Sequence, residues 1–173
     1  MLRPLLLATI TVMATSAAAQ HTHQNGAITD TGQAQFAAIA EIVAALRADA
    51  ETDWAHVDID GLRDHLVDMD NVTTAAKVAQ KVDGLSVTFT GPGNSVVAES
   101  FERMVMAHSP MLQDSTGWRV AAQRQDDGAT MVVDVTSNAE LQEVTGLGFF
   151  GLMTIGAHHQ QHHLMIARGH APH

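Results

Sequence analysis

The sequence predicts an α+β fold in which a small three-stranded mixed sheet, in β-α-β-β-α order, is covered by helices and preceded by two N-terminal helices. Apolar residues first recur at helical spacing, and the period then shortens to two at Leu85, Val87 and Phe89. Two further strand-like runs follow a third helical pattern. Because a helix joins the first strand to the second, we expect a parallel right-handed crossover, with a hairpin adding an antiparallel strand.

The first 32 residues are predicted to lie outside that fold. Residues 1–19 combine Arg3, a short apolar run and the small residues Ala17 to Ala19, which is typical of a secretory signal peptide. The apolar run is too short for a permanent membrane span. Residues 20–32 are polar and lack periodicity, so we expect a flexible N-terminal arm.

A single α+β domain is predicted over residues 33–169, and it opens with two amphipathic helices. The first spans residues 33–48. Asp58 is a suitable N-cap for the second, which we expect to run to about Lys81. Its apolar stripe consists of Leu62, Leu66, Met69, Val72 and Ala76. Asp68 falls on the opposite, polar side, which we expect to face solvent.

The second half of the domain alternates strands and helices. A helix is predicted from Ser95 to about His108, because Pro110 cannot continue it. The segments WRVAAQR and TMVVDV are then expected to form a hairpin. Ser137 and Glu140 have the spacing of a capping box, which opens a last helical region that loosens around GLGFFG and reaches Arg168. Residues 170–173 are a predicted C-terminal tail.

Composition limits the chemistry available to the chain. Cysteine is absent, which excludes disulfides, thiolate metal sites and covalently attached c-type haem. The formal net charge is -10, so nucleic acids and anionic lipid surfaces are poor partners, whereas cations are suitable ones. Histidine, methionine and carboxylates must therefore carry any metal chemistry.

The most informative segment is AHHQQHHLMIARG, residues 157–169, which contains His158, His159, His162 and His163. On a helical wheel His159 and His162 point inward with the apolar residues, and His158 and His163 lie on the two shoulders. Spacings of three and four residues bring imidazoles together on one helix surface and suit two ligands to one metal. The segment therefore predicts a metal site, with a solvated helix end as the alternative.

Two other predicted helices carry a histidine and a methionine four residues apart, and the last helix carries a similar pair three residues apart. The pairs are His65 with Met69, Met104 with His108, and His162 with Met165. If the three helices share one core, three or four imidazoles converge with thioether sulfur nearby, a set that suits copper in either oxidation state, and zinc where the sulfur is not a ligand. Each of these residues, taken alone, is more typical of ordinary core packing than of metal ligation.

The arm contains a weaker candidate site at His21 and His23. Cleavage after Gln20 would place His23 third in the mature chain, where it and the amino terminus form a square-planar chelate for Cu(II) or Ni(II). The small-residue rule instead favours cleavage near Ala19, which leaves the arm a histidine-containing tail.

The segment from Met153 to Met165 resembles one helix of a group of small ferritin-like secreted proteins. Those proteins carry a Met, then His-His-Gln, then a later Met, matched here by His158, His159, Gln160 and Met165. This chain departs from the pattern in adding His162 and His163. The resemblance covers this segment alone, and the predicted strands differ from an all-helical fold.

Together these features predict a metal-binding protein that is exported to the periplasm or secreted. We expect it to act in metal storage, metal delivery or protection from a metal, and copper is favoured over zinc. Its expected partners are the metal ion and a metal-trafficking protein. We expect it neither to bind nucleic acid nor to insert stably into a membrane. One alternative is a hydrolytic or redox enzyme with an open, His-ligated metal, although the sequence names no convincing acid or base. Further alternatives are a b-type haem binder with His and Met axial ligands, and an interaction module in which the histidines only solvate or sense pH.

Overall fold

The computed structural model describes residues 34–93, 95–126, 128–156 and 159–170. The predicted signal peptide, the arm with His21 and His23, His158 and residues 171–173 lie outside the described residues. The described elements follow in chain order as α1 Ala34–Ala48, α2 Ile59–Ala75, β1 Ala79–Asp83, β2 Ser86–Thr90, α3 Val96–Thr116, β3 Arg119–Gln125, β4 Gly128–Asp134, α4 Asn138–Leu152 and α5 His159–Ala167.

The fold is α+β, as predicted, but the prediction of a three-stranded mixed sheet is wrong. The described strands form one four-stranded sheet in the order β1-β2-β4-β3, and each neighbouring pair is antiparallel. Strands β2 and β3 do run in the same direction across α3, but β4 lies between them. Buried Ala129, Met131 and Val133 alternate along β4, which explains its central place, whereas β3 is largely exposed and forms an edge.

Strand β1 replaces the predicted last turn of the second helix. Helix α2 ends at Ala75 because Ala76 adopts extended backbone angles, so the predicted extension to Lys81 is wrong. Residues of β1 pair with β2, including Val82 opposite Val87, across a turn in which Gly84 has a φ of 58°. Every residue of β1 is exposed, so its sequence carries no alternation of burial from which a strand can be predicted.

Helix α3 continues past the proline that was expected to end it. It starts at the Ser95 N-cap, runs through Pro110 to Thr116, and ends where Gly117 adopts a left-handed conformation. The additional turn buries Leu112 in the core. Burial of that side chain, about 2 kcal/mol, offsets part of the cost of the backbone hydrogen bond that proline removes.

The last helical region divides into two helices. Ser137 and Glu140 form the predicted capping box at the start of α4, which is confirmed. Gly148 breaks the helical geometry inside GLGFFG, with a φ of 60° and a ψ of -176°. A turn region through Gly156 then separates α4 from α5, so the phase of α5 is not continuous with the helix before it.

Two apolar clusters meet at α2. One packs the sheet against α3 and α4, around Phe89, Phe101 and Phe149. The other joins α1, α2 and α5. Met69 packs against both clusters, so α2 contributes side chains to each of them. In the described part of the chain, no helix has the length and apolar character needed to cross a membrane.

Candidate metal centre

Three helices bring imidazole rings to one place beside the smaller apolar cluster. Helix α2 contributes His65, which lies between the buried residues Leu62 and Leu66. Helix α3 contributes His108, and α5 contributes His159, His162 and His163. The residues His65, His108 and His163 are only 8%, 2% and 5% exposed, so three polar side chains are buried here.

The position of α5 is set by interactions on both sides. Ile166 and Ala167 are buried against α1 and α2. The backbone N–H of Asp58, which caps α2, donates to the Ala167 carbonyl over 2.8 Å. The Gln160 side chain donates to Glu41 of α1 over 2.6 Å. These contacts hold the histidine face of α5 against α2.

The five rings form a closed cycle of close contacts. Going round it, the centroid separations are 4.8 Å for His65–His162, 6.1 Å for His162–His108, 6.4 Å for His108–His159, 6.2 Å for His159–His163 and 5.5 Å for His163–His65. His162 and His163 are also 6.4 Å apart across the cycle. The sequence made the convergence of His65 and His108 with α5 conditional on a shared core, and in the structure these rings lie close together.

The separations among His65, His162 and His163 match those of three ligands on one ion. A metal about 2 Å from a ring nitrogen lies about 3 Å from the ring centroid, and the point equidistant from these three centroids is also about 3 Å from each. The other two rings are less closely placed, because His108 lies 6.1 Å from His162, and His159 lies 6.2 Å from His163 and 6.4 Å from His108. The three rings are referred to below as the His triad.

The rings are close enough to share a metal but are not yet turned toward one. Among the described residues, no three His, Asp or Glu side chains present their donor atoms in a ready ligand geometry. His65 instead meets His162 and His163 edge to face, at interplanar angles of 68° and 67°. Rotation of a histidine ring about χ2 follows a broad energy profile, so the centroid positions constrain the site more firmly than the ring orientations do.

His163 is a buried histidine that a bound metal ion would stabilise. Neither of its ring nitrogens has a hydrogen-bond partner within the described residues. Burial, with a smaller effect from His159, lowers the pKa of His163 below its ordinary 6.5, which favours the neutral, metal-ligating form. A buried polar group without a partner costs about 1 to 3 kcal/mol, and a bound metal would remove that cost.

His108 is held in a defined tautomer. Its Nδ1 lies 3.0 Å from the carbonyl oxygen of Met104, one turn earlier in α3. A carbonyl can only accept, so Nδ1 carries the proton, and in the neutral ring the lone pair is on Nε2. Orientation of a ligating histidine by a backbone carbonyl is a common arrangement around bound metals.

An open cleft of about 560 Å³ reaches His65, one of the three triad residues, from the surface. His65 and Met104 form part of its wall, together with Ile166 of α5. Asp68 also lines it, accepting hydrogen bonds from Arg103 over 2.7 Å and from Ser100 over 2.8 Å. Burial alone raises the pKa of Asp68, but these hydrogen bonds and the nearby positive charges outweigh it and leave the pKa below 3.8.

The remaining predicted ligands are placed unevenly. The inward pair, His159 and His162, is partly buried, while His163, expected on a shoulder, is the more buried ring. Met104 is buried in the larger cluster and Met69 is partly buried between the two. Met165 is 46% exposed, on a different side of α5 from the buried His163, Ile166 and Ala167.

The sequence interpretation missed the role of Asp68. It was expected to face solvent, yet it joins α2 to α3 through Ser100 and Arg103 beside His65. Its position three residues after a candidate ligand on the same helix was the available signal. No family model matches this chain, and neither a curated protein nor a solved structure shows significant similarity to it.

Proposed function

We propose that the protein is an exported metal-binding protein, that copper is its ion, and that His65, His162 and His163 are its principal ligands. The observation that carries this proposal is the set of three centroid separations, 4.8, 5.5 and 6.4 Å, which matches three imidazoles around one metal. The buried, unpartnered ring of His163 supports it, because apolar packing alone would favour a hydrocarbon side chain there.

Copper is favoured by the donor atoms near the triad. Imidazole suits both copper and zinc, and among divalent ions copper binds such sites more tightly. The thioether of Met104 borders the same cleft as His65, so a sulfur donor suited to Cu(I) is within the neighbourhood. Binding would join α2 to α5, which are otherwise held mainly by apolar contacts.

Storage, delivery or protection fits the site better than catalysis. Asp68, a carboxylate beside His65 in the cleft, is held ionised with a lowered pKa by Arg103 and Ser100, so it cannot donate a proton near neutral pH and is a weak base. In this role the protein would receive or pass on its ion through a metal-trafficking partner, with the cleft as the path of exchange.

The cleft also favours a second candidate, a metal-dependent enzyme. A three-histidine site with an open fourth position can activate water or bind a substrate atom, and a cavity at His65 provides room for one. Turnover of a hydrolytic or redox substrate by the metal-loaded protein, abolished by His65→Ala, would support this candidate over storage.

Metal binding is tested on untagged protein purified from its exported form. We expect bound copper on elemental analysis, and chelator-competition titrations in which His65→Ala and His163→Ala each weaken the tightest copper site. His56→Ala is the matched control, because His56 is exposed and bonded to Asp53. Tight copper binding that is unchanged in both triad variants would contradict the proposal, and loss only in His21→Ala/His23→Ala would move the site to the arm.

A further inference from the structure

We infer that the centre binds a second metal ion between His108 and His159, next to the ion held by the His triad. This inference rests on the proposed function, because it extends the same cluster of imidazoles. It concerns the two rings of the cycle that the triad leaves unused.

The five rings offer more ligands than one ion at the triad can use. A neutral imidazole has one ring nitrogen with a free lone pair, so it serves one ion. A tetrahedral ion accepts four ligands, and the centroids of four imidazoles around it are about 5 Å apart, closer than the 6.1 to 6.4 Å separations that involve His108 and His159. If His65, His162 and His163 bind one ion, then His108, next to His162, and His159, next to His163, remain.

The separation of those two rings suits an ion between them. Their centroids are 6.4 Å apart. Two imidazoles on opposite sides of one ion have centroids about 6 Å apart, twice the distance of about 3 Å from metal to centroid. This near-linear arrangement is common for Cu(I), which accepts two ligands, and is unsuited to zinc, which requires four.

The surroundings of His108 fit this role. Its Nδ1–H donates to the Met104 carbonyl, so the lone pair resides on Nε2. His159, at the first residue of α5, is partly buried, so an ion at this position is closer to solvent than one in the triad. Two cations in neighbouring positions repel each other, so the second should bind more weakly than the first.

The test is an anaerobic Cu(I) titration against a chromophoric chelator, using full-length exported protein with His21→Ala and His23→Ala to remove the arm's contribution. We expect two equivalents of Cu(I) per chain. His159→Ala should bind one equivalent, with the affinity of the tighter site changed by less than about tenfold, since no triad ring is removed although His159 contacts His163. His170→Ala, which changes an exposed histidine, should retain two.

Because His108 is buried, His108→Asn is measured beside His159→Ala, and circular dichroism establishes that each variant is folded. A single equivalent in the parent protein overturns the second ion and leaves the proposed function standing. No binding at all overturns both. Two equivalents that persist in folded His159→Ala overturn the inference by placing the second ion elsewhere.

Discussion

The imidazole of His65 on α2 and that of His162 on α5 meet edge to face, with their centroids 4.8 Å apart. The two residues belong to the second and the last of the described helices, so only the tertiary fold brings them together. With His163 they surround a point at metal-ligand distance from all three rings.

His65→Ala should raise the dissociation constant for copper at least about 100-fold, because removing a ligand costs more than the 10- to 100-fold loss typical of changing a residue that only orients a ligand. His65 is the ligand that we propose from α2, so its loss should also remove the metal link to α5. Chelator competition measures the effect, and His56→Ala should bind as the parent protein does. A folded His65→Ala protein with less than a threefold change would remove His65 from the ligand set.

His163→Leu should stabilise the metal-free protein while weakening metal binding. The ring of His163 is buried without hydrogen-bond partners in the described structure, and an apolar side chain of similar size removes that penalty, worth about 1 kcal/mol or more. Urea unfolding with and without copper tests both effects. A variant that is less stable than the metal-free parent would show that the histidine is satisfied in a way the described contacts do not include.

Asp68→Asn should destabilise the protein near neutral pH by about 1 kcal/mol, a modest value because Arg103 is half exposed. The pKa of Asp68 lies below 3.8 in the folded protein, so its charged form stabilises the fold above that pH. The advantage of wild type over Asp68→Asn should be constant above about pH 5 and shrink as pH falls through 3.8. Denaturant unfolding at pH 7, 5 and 3 measures this difference, and a pH-independent difference would contradict it.

Gly156→Ala should weaken copper binding as well as stability, because Gly156 leads into α5. Its φ is 68°, and an added Cβ would collide with the Ser115 side chain of α3 and lie 3.2 Å from the Met111 carbonyl, pushing α5 away. Gly117→Ala is a matched control, since its φ of 74° imposes similar strain with nothing within 4 Å of the new Cβ. We expect Gly117→Ala to lose about 1 kcal/mol of stability, Gly156→Ala to lose more because of the added collision, and only Gly156→Ala to lose affinity. Equal copper affinity in the two variants would show that the turn at Gly156, before α5, does not position the ligands.

The sequence predicted correctly those helices and strands that are determined by residues close together in the chain. The capping box of Ser137 and Glu140 marks the start of α4, and the alternation through Met131 and Val133 marks a buried strand. Strand β1 lacked such a signal because all its side chains are exposed, and its conformation depends on pairing with β2. Continuation of α3 beyond Pro110 depends on burying Leu112, which is likewise a tertiary effect.

The candidate site could be predicted in composition but not in arrangement. The sequence identified His65, His108 and the histidines of α5, since their spacing follows the helical period. It assigned the inward face to His159 and His162 by continuing the helix from Ile155, whereas α5 begins at His159 after a turn. That change of phase makes His163 the most buried of the three, and the proximity of α2 to α5 then places it in the triad.

The X-ray absorption spectrum of bound copper is the most direct test of whether His65, His162 and His163 bind one ion. Exported protein with His21→Ala and His23→Ala is loaded with half an equivalent of copper, so that only the tightest site fills. We expect nitrogen ligands at about 2 Å and outer-shell scattering from three imidazoles. In His163→Leu, the scattering should correspond to one imidazole fewer. A spectrum with fewer than two imidazoles, or one unchanged by His163→Leu, would contradict it.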